Sequence, residues 1–181
     1  TYAFPSYLYN KLSQVTSMTY PSGRVVRTEY DSAGRGVCVW GGTPATCPGA
    51  TSSYASNVNY AAHGAIKDLT FGNNLVEATT FNGRLQPTAI KVPAAGTLLN
   101  FAYTYGTSAA TNNGNVQTQI ITAPGQPTLT QSYTYDGVNR LATFTETGGG
   151  ANQYYCYDQF GNRYQPGFHL VCNPNTAVNW I

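Results

Sequence analysis

The stretch Gln131-Ser132-Tyr133-Thr134-Tyr135-Asp136-Gly137-Val138-Asn139-Arg140-Leu141-Ala142-Thr143-Phe144-Thr145-Glu146 decides the fold. Residues alternate in character on either side of a short break, the period-two pattern of a half-buried strand. Tyr135 ends the first strand. Asp136 follows, where a short carboxylate accepts backbone N–H bonds within a turn. Asn139 tolerates positive φ, and Arg140 opens the return strand. The segment therefore reads as an antiparallel hairpin. The same unit stands at Tyr30, Asp31, Gly34 and Arg35, and again at Tyr157, Asp158, Gly161 with Asn162, and Arg163.

Weaker copies extend the series. Tyr20, Tyr60, Phe71 and Phe81 each precede a turn signal, as in Tyr20-Pro21-Ser22-Gly23-Arg24 and Phe81-Asn82-Gly83-Arg84-Leu85, and the steps fall near multiples of ten or eleven residues. Short strands with turns every 8–12 residues mark an all-β chain. Composition agrees: fifteen Tyr, nineteen Gly and ten Pro, with one Met and few helix formers. No segment reads as a helix, and wide loops are expected at Gly41–Ser53, Pro93–Gly96 and Gly106–Gly114. The expected fold is all-β: running antiparallel hairpins in one open or spiralling sheet with uncapped ends. It forms a single array over 1–181, best defined at 15–40, 60–92 and 130–165.

Charged residues make up 9% of the chain against about 25% in an average soluble domain. The net charge of +2 comes without a basic run, which argues against a nucleic-acid partner or an anionic membrane surface. No apolar stretch has the roughly 20 residues of a membrane span. The first residues lack the charged and apolar regions of a signal peptide. The chain starts without Met, as a mature product or a piece of something longer would. Four cysteines, Cys38, Cys47, Cys156 and Cys172, allow three pairings. Proximity favours Cys38–Cys47 and Cys156–Cys172, each bracketing a loop. Free thiols are a second reading. Zinc is a third, but its paired Cys or Cys/His spacings are not present.

At its Tyr-Asp turns the chain resembles the RHS/YD-repeat family. The pattern Tyr-Asp-x-x-Gly-Arg, or Tyr-Asp-x-x-Gly-Asn-Arg, stands here as Tyr30–Arg35, in variant form as Tyr135–Arg140, and as Tyr157–Arg163. The resemblance implies a segment of a large bacterial secreted or surface protein, or of the RHS part of a polymorphic toxin, in which the repeats form a sheet that spirals into a hollow shell. The chain departs from the toxin members in having no Asp-Pro autoproteolytic motif and no variable C-terminal toxin domain.

No constellation of side chains suggests catalysis. His63 and His169 lie in turn-rich settings without an acid or nucleophile at a motif spacing. The repetition of Asp31, Asp136 and Asp158 at one place in the unit points to turn capping rather than to carboxylate chemistry or calcium. No cofactor is expected. The tyrosines are read first as ladders that stabilise the sheet. Exposed Tyr together with Trp40 would instead make a glycan-binding or adhesion surface. The leading expectation is a non-enzymatic extracellular or cell-surface scaffold. It would pair by β-strands with copies of itself or with flanking repeats, as a fibre, filament or shell wall. The apolar ends, Tyr2–Tyr9 and Val171–Ile181, would be the pairing edges.

Overall fold

The computed structural model of the protein describes residues 6–49, 52–94, 96–108, 110–148 and 152–164. No α-helix occurs among them, and hence none long and apolar enough to cross a membrane. The chain divides into two compact units, Thr1–Leu98 and Leu99–Ile181. The first carries β1 (Ser6–Tyr9), β2 (Val15–Thr19), β3 (Val25–Tyr30), β4 (Gly36–Gly41), β5 (Ser53–Tyr60), β6 (Ile66–Phe71), β7 (Val76–Phe81) and β8 (Pro87–Ala94). The unit boundary falls within β9 (Gly96–Thr104), followed by β10 (Thr118–Thr122), β11 (Leu129–Tyr135), β12 (Leu141–Glu146) and β13 (Gln153–Tyr154). These thirteen strands pair antiparallel in strict chain order, and the sheet is open. A separate two-stranded ladder joins β14 (Cys156–Tyr157) to β15 (Arg163–Tyr164). The Asp158 turn thus closes a hairpin of its own, which corrects the expectation that all the turns serve one sheet.

Eight turns share one geometry. In each, the first residue donates its backbone N–H to the carbonyl four residues on, and the fourth donates back to the first. The opening residues are Asn10, Tyr20, Asp31, Ala61, Phe71, Asn82, Asp136 and Asp158. The fourth residue is always left-handed: Ser13, Gly23, Gly34, Gly64, Asn74, Leu85, Asn139 and Gly161. This is the three-residue hairpin loop in which a turn is followed by a left-handed bulge residue. The bulge appears as the register shift at Glu29/Tyr30, Thr80/Phe81 and Thr134/Tyr135.

In the first unit the turns alternate between the two ends of the strands, and the aromatic residue differs between them. At one end Tyr9, Tyr30, Tyr60 and Phe81 stand one residue before the turn. At the other end Tyr20 and Phe71 are themselves the first turn residue. The series read from sequence as uniform is therefore two interleaved series. The distance from aromatic to left-handed residue separates them.

Apolar burial is sparse. Among the described residues only Cys38, Trp40, Tyr105 and Cys156 are buried hydrophobics. Most strand positions are half-buried on both faces, as in the unbroken intermediate pattern of β12. Cohesion comes instead from ladders and cross-strand pairs. Tyr133 lies opposite Phe144 with ring centroids 5.7 Å apart. Threonine hydroxyls pair across strands at Thr104–Thr118 and Thr134–Thr143.

The loop between β4 and β5 is held by a disulfide between Cys38 and Cys47, Cα atoms 6.1 Å apart. A crosslink over so short a loop stabilises by about 2–3 kcal/mol in the chain-entropy model. Cys172 lies outside the described residues, and so does the proposed pairing with Cys156. Trp40 is 3% exposed, and its indole N–H donates to the Pro44 carbonyl at 3.0 Å. It packs under its own loop and presents no ring for a sugar, which corrects its place in the glycan-binding alternative.

Leu85 holds the left-handed position with φ 64° and a side chain 55% exposed. A Cβ there costs roughly 1–2 kcal/mol, and glycine's extra chain entropy returns about half of that. Leu85→Gly should therefore raise unfolding stability by about 0.5–1 kcal/mol, measured by urea denaturation with an unchanged m-value.

Candidate functional site

The repeated turns form the site, and their side chains do two jobs. The first is local. Asp31 Oδ1 accepts the backbone N–H groups of Ala33 and Arg35, both at 2.9 Å. Asp136 Oδ1 takes those of Val138 and Arg140, and Asp158 Oδ1 those of Phe160 and Asn162. The other carboxylate oxygen takes the side chain four residues on. Arg35 lies 2.7 Å from Asp31 Oδ2, and Arg140 lies 2.6 Å from Asp136 Oδ2. In the third copy the residue at that place is Asn162, which donates to Asp158 Oδ2 at 2.8 Å. Arg163, displaced by one position, lies over the Tyr155 ring.

Two more turns share this arrangement, and the sequence reading did not class them with the Asp turns. Asn10 Oδ1 accepts from Leu12 and Gln14, and Asn82 Oδ1 from Arg84 and Gln86. Their amide nitrogens donate to the side-chain oxygens of Gln14 and Gln86. An Asn–Gln pair replaces Asp–Arg with donor and acceptor exchanged. The signal was present in sequence: an aromatic, Asn, and Gln four residues after the Asn.

The second job joins one hairpin to the next. Tyr30 gives its hydroxyl to the carbonyl of Val15 at 2.8 Å, just beyond the Asn10 turn. Tyr60 gives its hydroxyl to Gly36, just beyond the Asp31 turn, at 2.6 Å. Tyr157 does the same to Leu141, just beyond the Asp136 turn, at 2.9 Å. Tyr135 reaches Val116 at 2.8 Å. Two of these rings also lie under the arginine of the preceding turn: Arg35 over Tyr60 at 4.6 Å and Arg140 over Tyr157 at 4.1 Å. Cation–π contacts of this kind contribute about 0.5–1 kcal/mol at exposed sites. The Asp orients the Arg, the Arg covers the next Tyr, and that Tyr bonds back to the backbone beside the Arg. Gln14 adds a further link, donating to the Gly34 carbonyl of the next turn at 2.6 Å. Where Phe81 has no hydroxyl, His63 of the preceding turn meets its ring edge-on at 4.7 Å. His63 is thus a packing residue. His169 lies outside the described residues.

Electrostatics follow the same pattern. The backbone N–H of Arg35, then its side chain, hold the Asp31 carboxyl below its ordinary value. Asp136 is lowered first by the backbone N–H of Arg140, and Asp158 first by the Asn162 side chain. Burial pushes the Tyr103, Tyr105, Tyr133 and Tyr135 phenols up. No group of three or more His, Cys, Asp or Glu residues that could hold a metal ion occurs among the described residues.

The fold and the turns together define a run of antiparallel hairpins with one turn geometry, in which three turns open with Tyr-Asp. The RHS Repeat family model matches residues 9–35, which span two successive turns of the aromatic-Asx type and the turn between them. Residues 9–35 thus match an RHS repeat. Its fold is similar to the crystal structure of TcdB2-TccC3-Cdc42, with a TM-score of 0.70 at 18% identity over 88% of this chain. It is also similar to TcdB2-TccC3, with a TM-score of 0.69 at 18% identity over 88% of this chain. The Photorhabdus luminescens Tc holotoxin pore aligns over 93% of the chain with a TM-score of 0.59 and 13% identity. At these identities the likeness is one of fold. The chain spans 9% of the length of the first two proteins and 10% of the third. No curated protein matches the sequence.

Two outcomes are expected. A carboxyl lowered in the folded state contributes stability above its unfolded pKa and loses it as pH falls through the folded value. The thermal midpoint should therefore be insensitive to these three groups above about pH 5 and fall below about pH 4, the ordinary range of an Asp. The triple variant Asp31→Asn, Asp136→Asn, Asp158→Asn should flatten that acid limb in melts followed by circular dichroism. Separately, Tyr157→Phe should lower stability by about 0.5–1.5 kcal/mol, the net worth of one hydrogen bond. Phe81 already shows that the ring alone is tolerated in such a place.

Proposed function

We propose that residues 1–181 serve as one stretch of non-enzymatic, extracellular β scaffold, built to be continued by neighbouring repeats or by other copies into a shell wall or fibre. The family match and the fold support a structural β scaffold. One observation carries the rest. The chemically distinctive side chains of the repeat, Tyr, Asp and Arg, are engaged with one another and with backbone from hairpin to hairpin. Groups committed in this way hold a wall together, and carboxylates so engaged are not free for general acid–base work. The structural Tyr-Asp turns, the Cys156–Cys172 crosslink and a secreted or cell-surface location belong to the same reading. Burial of Trp40 takes its ring out of the glycan alternative.

Sedimentation of the full chain over a range of concentrations, with negative-stain microscopy of the same samples, tests the proposal. Association into open polymers, or into a shell when flanking repeats are supplied, is the expected result. A chain that stays monomeric at high concentration and binds a defined sugar on a glycan array would overturn it, as would a hydrolytic activity abolished by Asp136→Ala.

A further inference from the structure

The loop that leaves β4 covers Trp40 without packing into the sheet. Residues 42–46 are all exposed, so this stretch sinks no apolar side chain. Single hydrogen bonds hold its described part. The Trp40 indole donates to Pro44 at 3.0 Å, Arg27 Nε to the Gly42 carbonyl at 3.2 Å, and Ser53 Oγ to the Gly49 carbonyl at 2.8 Å. The Cys47 N–H donates to Glu29 Oε2 at 3.3 Å. Open space lies on two sides. A cleft of about 400 Å³ is lined in part by Arg27, Glu29, Trp40, Ala45 and Thr46. Another of about 280 Å³ is lined in part by Glu29, Cys38, Cys47 and Asn57. The covalent tie is the Cys38–Cys47 disulfide. Strands β4 and β5 do not need it to meet, since they pair at Val39–Ala55 and Trp40–Ser53. Its two sulfurs differ in access: Cys38 is 3% exposed, whereas Cys47 is only half-buried, at the wall of the second cleft.

We propose that the Cys38–Cys47 disulfide is the latch of a lid, and that a dithiol reductant opens it and uncovers Trp40 while the sheet stays folded. A thiolate of the reductant attacks Cys47 Sγ, the accessible sulfur, and the Cys38 sulfur leaves as a thiolate. The second thiol of the reductant then attacks its own sulfur in the mixed disulfide, and Cys47 leaves as a thiolate. Both thiolates take up a proton. The protein gains two thiols, and the dithiol becomes a disulfide. Without the covalent tie, isolated hydrogen bonds on an exposed loop give way to water. The Trp40 ring is then open to solvent, with Arg27 and Glu29 standing opposite Trp40 and Cys38 in register. Because disulfides persist in oxidising surroundings and not in reducing ones, the lid reports passage from one to the other.

The chain has two tryptophans, so Trp180→Phe leaves Trp40 as the indole reporter. Acrylamide quenching of its emission is read in the full chain before and after dithiothreitol, with circular dichroism and thiol alkylation on the same samples. Reduction should allow alkylation at Cys38 and Cys47, shift the emission to the red and raise quenching severalfold, with the β spectrum unchanged. Reoxidation should reverse all of this. Adding Cys47→Ser, which leaves the buried Cys38 in place, should give the open state without reductant and no further response to it. That second variant separates this crosslink from any made by Cys156. Emission that stays protected although both thiols alkylate would overturn the inference, as would a Cys47→Ser chain with Trp40 still protected. A disulfide that dithiothreitol leaves intact in the folded chain would do the same. Loss of the β spectrum on reduction would make the crosslink a staple of the sheet and also sink the latch.

Discussion

The structure depends on one contact: a tyrosine hydroxyl donating to the backbone carbonyl just beyond the preceding turn. It joins Tyr30 to Val15, Tyr60 to Gly36 and Tyr157 to Leu141. A hairpin satisfies its own inner hydrogen bonds, but two strands alone are marginal in water. The sheet persists because its hairpins are tied along the strands and, where a tyrosine stands before the turn, at the turn as well. The Asp–Arg pair serves this contact. Its arginine is only partly screened from water, and an exposed ion pair has little worth by itself. Its consequence lies in the direction it gives the guanidinium, over the next ring.

A chain stabilised in this way does not need a central core. Trp40 is buried under its own loop, and Cys38, Tyr105 and Cys156 are the other buried hydrophobics among the described residues. Elsewhere the strands are half-buried, and stability is spread through ladders, threonine pairs and turn contacts that repeat along the chain. Architectures of this kind behave as sums of near-neighbour terms. Such a chain can lengthen without a new core, because each added hairpin brings both its own turn and the tyrosine that binds the last one. This is the physical link between the repeat and a scaffold role.

Much of this was legible in the residues. Asp31, Asp136 and Asp158 cap their turns, Gly34, Asn139 and Gly161 take the left-handed position, and the all-β class follows from them. Three features were missed. Asn10 and Asn82 were not grouped with the aspartates, although Gln14 and Gln86 stand where the arginines do. Tyr20 and Phe71 were placed in register with Tyr30, because a spacing of ten or eleven does not by itself distinguish the two ends of a strand. Trp40 was offered as an exposed ring. Its burial depends on a loop that folds back under the Cys38–Cys47 crosslink, which local pattern does not encode.

Sequence alone determined where the chain turns. A turn is a short-range event: which residue tolerates positive φ, and which short side chain can reach nearby N–H groups, are properties of adjacent residues. Sequence also determined the strands, since alternation is local too. Only the tertiary structure decided what the tyrosines and arginines are for. Val15 and Tyr30, or Arg140 and Tyr157, meet because an intervening hairpin brings them back to the same end of the strands. The partner of each tyrosine hydroxyl is a backbone carbonyl, a group every residue carries and no motif can mark.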